Sequence, residues 1–122
     1  MSVEQKLYNE ILENIKSNKD IYFSEIETIF ERYKFDYKGN KVILDGENQS
    51  ILIWGGWNKE AIDIILKIFN NPNVFCAPLN EIEILLQGIF LNYPLAKKRK
   101  YKYKELHWIP SKLFWSSKKC RS

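Results

Sequence analysis

The sequence predicts an α+β fold: one domain with a mainly antiparallel sheet and three to four helices. Helical and β-rich segments follow the order helix, helix, hairpin, helix, strand, short helix, strands, which lacks the regular alternation of a doubly wound fold. At 122 residues the chain can bury one hydrophobic core but not two. Its composition, 45% hydrophobic and 15% aromatic, belongs to a folded chain and not to a disordered one. A winged-helix variant is the specific alternative, because a helix, a short strand and a capped helix stand near the start and a basic hairpin further on would serve as the wing.

In residues 3–17, Val3, Leu7, Ile11 and Ile15 recur every four positions with Tyr8 and Leu12 beside them, so one stripe of an amphipathic helix is apolar. After the extended piece Ile21-Tyr22-Phe23, Ser24 and Glu27 have the spacing of a capping box, which starts a second helix burying Ile26, Ile29, Phe30 and Tyr33. Residues 41–45 and 50–54 read as a hairpin around Gly46-Glu47-Asn48-Gln49, and Gly55-Gly56 then breaks the second strand. Asn58 caps a third helix through Phe69, apolar on all but a narrow edge and expected to be the most buried element. Residues 73–78 form a strand, and a short helix runs from the Asn80 cap to Gly88. From Ile89 onward the chain is strand-like, aromatic and basic, with Pro94 and Pro110 as punctuation. Residues 111–122 form a basic tail whose order the sequence leaves open.

Charge is distributed unevenly. Residues 1–90 hold 9 Lys and Arg against 14 Asp and Glu, a balance of −5, whereas residues 91–122 hold 10 against 1, a balance of +9. Most of the excess lies in Lys97, Lys98, Arg99, Lys100, Lys102 and Lys104, interleaved with Tyr101 and Tyr103. Such asymmetry points to a polyanionic or acidic partner. As a strand, this run would turn Lys98, Lys100, Lys102 and Lys104 to one face, a row suited to a phosphate backbone, and Tyr101 and Tyr103 to the other, where they would stack on bases or on the core. His107 and Trp108 would extend that surface. An edge strand that uses lysines to prevent edge-to-edge pairing is the competing reading.

The parts of an enzyme are not assembled. Asp45 and Glu47 follow a strand as nuclease carboxylates do, but no Glu-x-Lys follows on a partner strand. The lone His107 has no evident acid-base partner, and no Gly-rich phosphate loop is present. Cys76 and Cys120 lack CxxC spacing, so no metal, cofactor or disulfide framework is expected. The apolar runs are shorter than a membrane span and the start is unlike a signal peptide, so the cytoplasm is the expected compartment.

Trp54-Gly55-Gly56-Trp57-Asn58-Lys59-Glu60-Ala61, Gly88, Leu91, Pro94-Leu95-Ala96-Lys97, Tyr101-Lys102 and His107-Trp108-Ile109-Pro110 resemble a family of small proteins from Gram-positive pathogenicity islands, prophages and integrative elements. Phe23-Ser24-Glu25-Ile26-Glu27 and Phe35-Asp36-Tyr37-Lys38-Gly39 extend the resemblance over most of the chain, with departures at Ile89, Phe90 and Ser111. The resemblance implies a mobile-element context and no catalytic residue. The leading expectation is a non-enzymatic accessory protein that binds nucleic acid, or a nucleic-acid-handling complex, through residues 97–104 with His107 and Trp108. The alternative is a protein inhibitor of a host defence or replication enzyme, with Glu25, Glu27, Glu31 and Asp36 facing the partner's cations. A metal-dependent nuclease at Asp45 and Glu47 is the third reading.

Overall fold

The computed structural model describes residues 2–88 and 93–116. It is an α+β domain of four helices and two three-stranded sheets. Helix α1, Val3–Asn18, is capped by Ser2, whose hydroxyl accepts from the Gln5 amide at 3.1 Å, and it buries Leu7, Ile11 and Ile15 as their spacing requires. Strand β1, Asp20–Tyr22, leads without a loop into α2, Phe23–Arg32.

That direct passage displaces the expected cap. Because Tyr22 is still paired in a sheet, it becomes the N-cap, and its amide donates to the Glu25 carboxylate at 2.8 Å. Ser24 and Glu27 therefore lie inside the helix and are free to bond elsewhere.

Strands β2, Lys38–Leu44, and β3, Ile51–Trp57, form the expected hairpin, but Gly55 and Gly56 do not end β3. A Cβ at Gly55 would press on Val42 Cγ1 at 3.2 Å, and Gly56 adopts a φ of 89°, so the glycines let the strand bend in place. With six of its seven residues buried, β3 takes the place expected for the third helix as the most buried element. That helix, α3, Lys59–Phe69, starts where Asn58 Oδ1 accepts from the Ala61 amide at 2.9 Å, and it leaves Leu66 exposed.

Strand β4, Val74–Pro78, precedes α4, Glu81–Gln87, which is bounded by an Asn80–Glu83 capping box and by Gly88 in the left-handed conformation. Strands β5, His107–Trp108, and β6, Ser111–Trp115, complete the fold. The first sheet has the order β1-β6-β4, antiparallel throughout, and the second β2-β3-β5, with β5 parallel to β3. Helix α1 packs against α2, α3, β1 and β6 over the core.

Two expectations change. Residues 111–115 are the central strand of a sheet, with Leu113 fully buried, and not the start of a tail; residues 117–122, including Cys120, lie outside the described residues, as do Ile89, Phe90 and Leu91. The winged-helix alternative loses its wing, because residues 97–104 form neither a strand nor a hairpin.

Candidate nucleic-acid interface

The turn of the β2–β3 hairpin buries two polar side chains, Asp45 and Asn48, each 5% exposed. A buried polar group persists only where its hydrogen bonds are met, and here the partner is the basic segment. Arg99 places Nε and Nη2 against the two oxygens of Asp45, both at 2.9 Å, in a bidentate pair. The Arg99 guanidinium holds the Asp45 carboxyl below its ordinary range against the opposing effect of burial, and Asp45 in turn raises Arg99. The Asn48 amide donates to the carbonyls of Arg99 at 2.7 Å and Tyr101 at 2.6 Å. Ser50 Oγ, itself bonded to Asn48 Oδ1 at 2.6 Å, accepts from the Tyr103 amide at 3.1 Å.

The loop is also closed on itself. The Tyr103 hydroxyl accepts from the amides of Lys97 at 3.0 Å and Lys98 at 3.4 Å, and its ring stacks on His107 at 3.8 Å between centroids. At the base, the Ala96 amide donates to Trp108 and the Trp108 amide to Pro94, so the segment leaves and rejoins the second sheet at neighbouring points.

This is a pinned loop and not the expected strand. Local bonds to Asn48, Ser50 and Tyr103 satisfy the backbone that a strand would have paired with a neighbour. The alternation of a lysine face and a tyrosine face is accordingly absent, and the edge-strand reading goes with it. Lys97, Lys98, Lys100, Lys102 and Lys104 are all exposed and, among the described residues, make no ion pair, while Lys98 Nζ lies 5.4 Å from the centre of the Tyr101 ring. A cleft of about 480 Å³ between loop and turn is lined by Asp45, Glu47, Asn48, Arg99, Lys100 and Lys102. Its mixed signs leave the outer rim as the cationic surface.

Trp108 is 2% exposed, and its indole donates to the Ile53 carbonyl at 3.2 Å; it belongs to the core and not to the surface. His107 is half-buried beneath Tyr103, with Nδ1 3.0 Å from the Glu105 carbonyl. Of the aromatic residues expected to face a ligand, only Tyr101 has an exposed ring.

The acidic residues of the alternative reading are used internally. Glu25 accepts from the Tyr22 amide, Glu31 from the Tyr37 hydroxyl at 2.6 Å, and Asp36 from the Lys38 amide at 3.3 Å. Glu27 Oε2 accepts from both the Trp54 and the Trp57 indoles, at 3.1 and 2.8 Å, beneath a Phe23 ring stacked on Trp54 at 5.5 Å. The Trp54-Gly55-Gly56-Trp57 step thus anchors β3 to α2 within the core. For the nuclease reading, Asp45 has both oxygens on a guanidinium, and no group of three His, Cys, Asp or Glu side chains gathers among the described residues. Burial raises the Cys76 thiol above its ordinary range.

Asn48 and Ser50, which hold the loop, are unmarked in the sequence, where Asn48 reads as a turn residue and Ser50 as the start of a strand. The only local signal is an Asp45-x-x-Asn48 turn closing a hairpin of apolar strands. Helix α4 is inverted relative to an ordinary surface helix: Glu83 bonds Tyr22 and Lys112, and Gln87 bonds Ser24, whereas Ile82, Leu85 and Leu86 are 68, 74 and 78% exposed.

No helix among the described residues is long and apolar enough to cross a membrane. Compared with protein-family models, curated proteins and solved structures, the chain matches none.

Proposed function

We propose that this chain is a non-enzymatic accessory protein of a mobile genetic element, acting in the bacterial cytoplasm, that binds nucleic acid or a nucleic-acid-handling complex through the lysines of residues 97–104. The mobile-element context rests on the sequence resemblance. The binding role rests on one observation: five exposed lysines, unpaired among the described residues, stand on a loop fixed by Asp45, Asn48 and Tyr103. Holding cations in place lowers the ordering cost of binding a polyanion, and each phosphate neutralised releases counterions.

Electrophoretic shift and anisotropy titrations across salt test this reading. Replacing Lys98, Lys100 and Lys102 by Glu is expected to weaken binding at least about 100-fold at low salt, with the unfolding midpoint unchanged. Unaltered binding by that variant, or none by the parent, would overturn it.

A second reading, contact with a protein such as a host defence or replication enzyme, is favoured by the outward apolar face of α4 and no longer by the acidic residues. A partner retained from host lysate after nuclease treatment, and lost when Ile82, Leu85 and Leu86 become Ser, would support it.

A further inference from the structure

We infer that the loop reads the phosphate backbone of a nucleic-acid duplex and not the bases of a single strand. This rests on the nucleic-acid reading above and narrows its ligand. Single-strand surfaces gain affinity by stacking successive bases on exposed rings, about 1–3 kcal/mol per base, and so need several rings along one groove. The sequence supplies four aromatic side chains here, yet the fold consumes three. Tyr103 and His107 stack on each other, Tyr103 also closes the loop with its hydroxyl, and Trp108 is buried with its indole bonded to Ile53. Tyr101 remains, 48% exposed, with the Lys98 ammonium over its ring. The other exposed ring among the described residues, Tyr93, precedes the Leu95–Trp108 bridge and stands outside the loop.

Among the described residues, what faces outward is therefore charge without a stacking platform. Lysines on a fixed loop backbone favour the ligand with the denser phosphate array, and a duplex returns about 0.9 counterion per phosphate contacted against about 0.7 for a single strand. The lysine ammoniums are donors on flexible stems with no acceptor among them, so they lack the paired donor and acceptor that tells most base edges apart, and affinity follows the backbone more than the sequence.

The test compares a DNA duplex of about 20 base pairs with each of its separated strands, titrated against the full chain between low and physiological salt. The expected result is duplex binding at least about fivefold tighter than either strand, beyond the twofold that a second strand gives by statistics, and a logarithmic salt slope of no more than about 4.5 for five lysines. AT-rich and GC-rich duplexes should agree within about threefold. A smaller duplex preference, a preference for the single strand, or a larger sequence effect overturns this inference and leaves the lysine interface standing. Absence of binding to duplex and single strands alike at low salt overturns both.

Discussion

Helix α2 with its flanking turn and the loop of residues 97–104 are the two strongly charged regions of the molecule, and they handle charge in opposite ways. Glu25, Glu27, Glu31 and Asp36 each accept a hydrogen bond from the protein itself: from an amide, two indoles, a phenol and an amide. Of the six cations in the loop, only Arg99 is bound inward by a carboxylate among the described residues, and that pair, with the bonds of Asn48, Ser50 and Tyr103, holds the loop from which the other five face water. The acidic region stabilises the fold, while the basic region draws its rigidity from the fold and leaves its charge available. Formal charge in a sequence therefore says little about function until its partners are known.

The largest effect that sharpens this contrast is at Glu27. Replacing it by Ala leaves the indoles of Trp54 and Trp57 without an acceptor in a largely buried cluster, and should cost about 2–3 kcal/mol in urea unfolding. Gln retains an acceptor oxygen without the charge, so Glu27→Gln should recover most of that loss. Equal loss in the two variants would mean that α2 is stabilised by its charge, and the distinction between the regions would fail.

Asn48→Ala gives a smaller effect, on the other side of the comparison. The carbonyls of Arg99 and Tyr101 then rehydrate at the surface, so the expected stability loss is about 1–2 kcal/mol. Affinity for duplex DNA should nevertheless fall about tenfold, although no cation has been removed, because the loop must then be ordered on binding. Unchanged affinity beside the stability loss would show that the lysines act without a fixed frame.

Much of the fold was legible because its signals are local. The four-residue stripe of α1, the Asn58 and Asn80 caps and the Gly88 terminus all depend on residues within a turn or two. The misplaced features depend on distant partners. Tyr22 could be recognised as a cap only through its pairing with Lys112, 90 positions away. The glycines of β3 needed the packing of Val42 to be read as a bend. At the candidate interface the lysines were legible as a run, but their frame was not. Asp45 and Arg99 are 54 positions apart, and nothing between them announces the pair. The aromatic residues misled for the same reason, since a Tyr or Trp beside lysines has one composition whether its ring faces a ligand or closes a loop.

The smallest effect separates the two regions by pH. Asp45 sits below its ordinary value because Arg99 holds it, so its contribution is complete above the ordinary carboxylate value of about 3.9 and is lost as pH falls through the depressed one. Tyr37 is raised by burial and by its hydrogen bond to Glu31, so its contribution is complete below about pH 10 and is lost as pH rises. The loop frame should therefore weaken at the acid end and the α2 region at the alkaline end. Urea unfolding of Asp45→Asn should show a deficit of about 1 kcal/mol at neutral pH, discounted because Arg99 is 45% exposed and rehydrates, and that deficit should close as pH falls through the depressed Asp45 value. The deficit of Tyr37→Phe should instead persist below about pH 10 and begin to close as pH rises beyond it. Deficits that stay constant across pH would show that neither region draws stability from the protonation state of these groups, and the pairs would then count as packing alone.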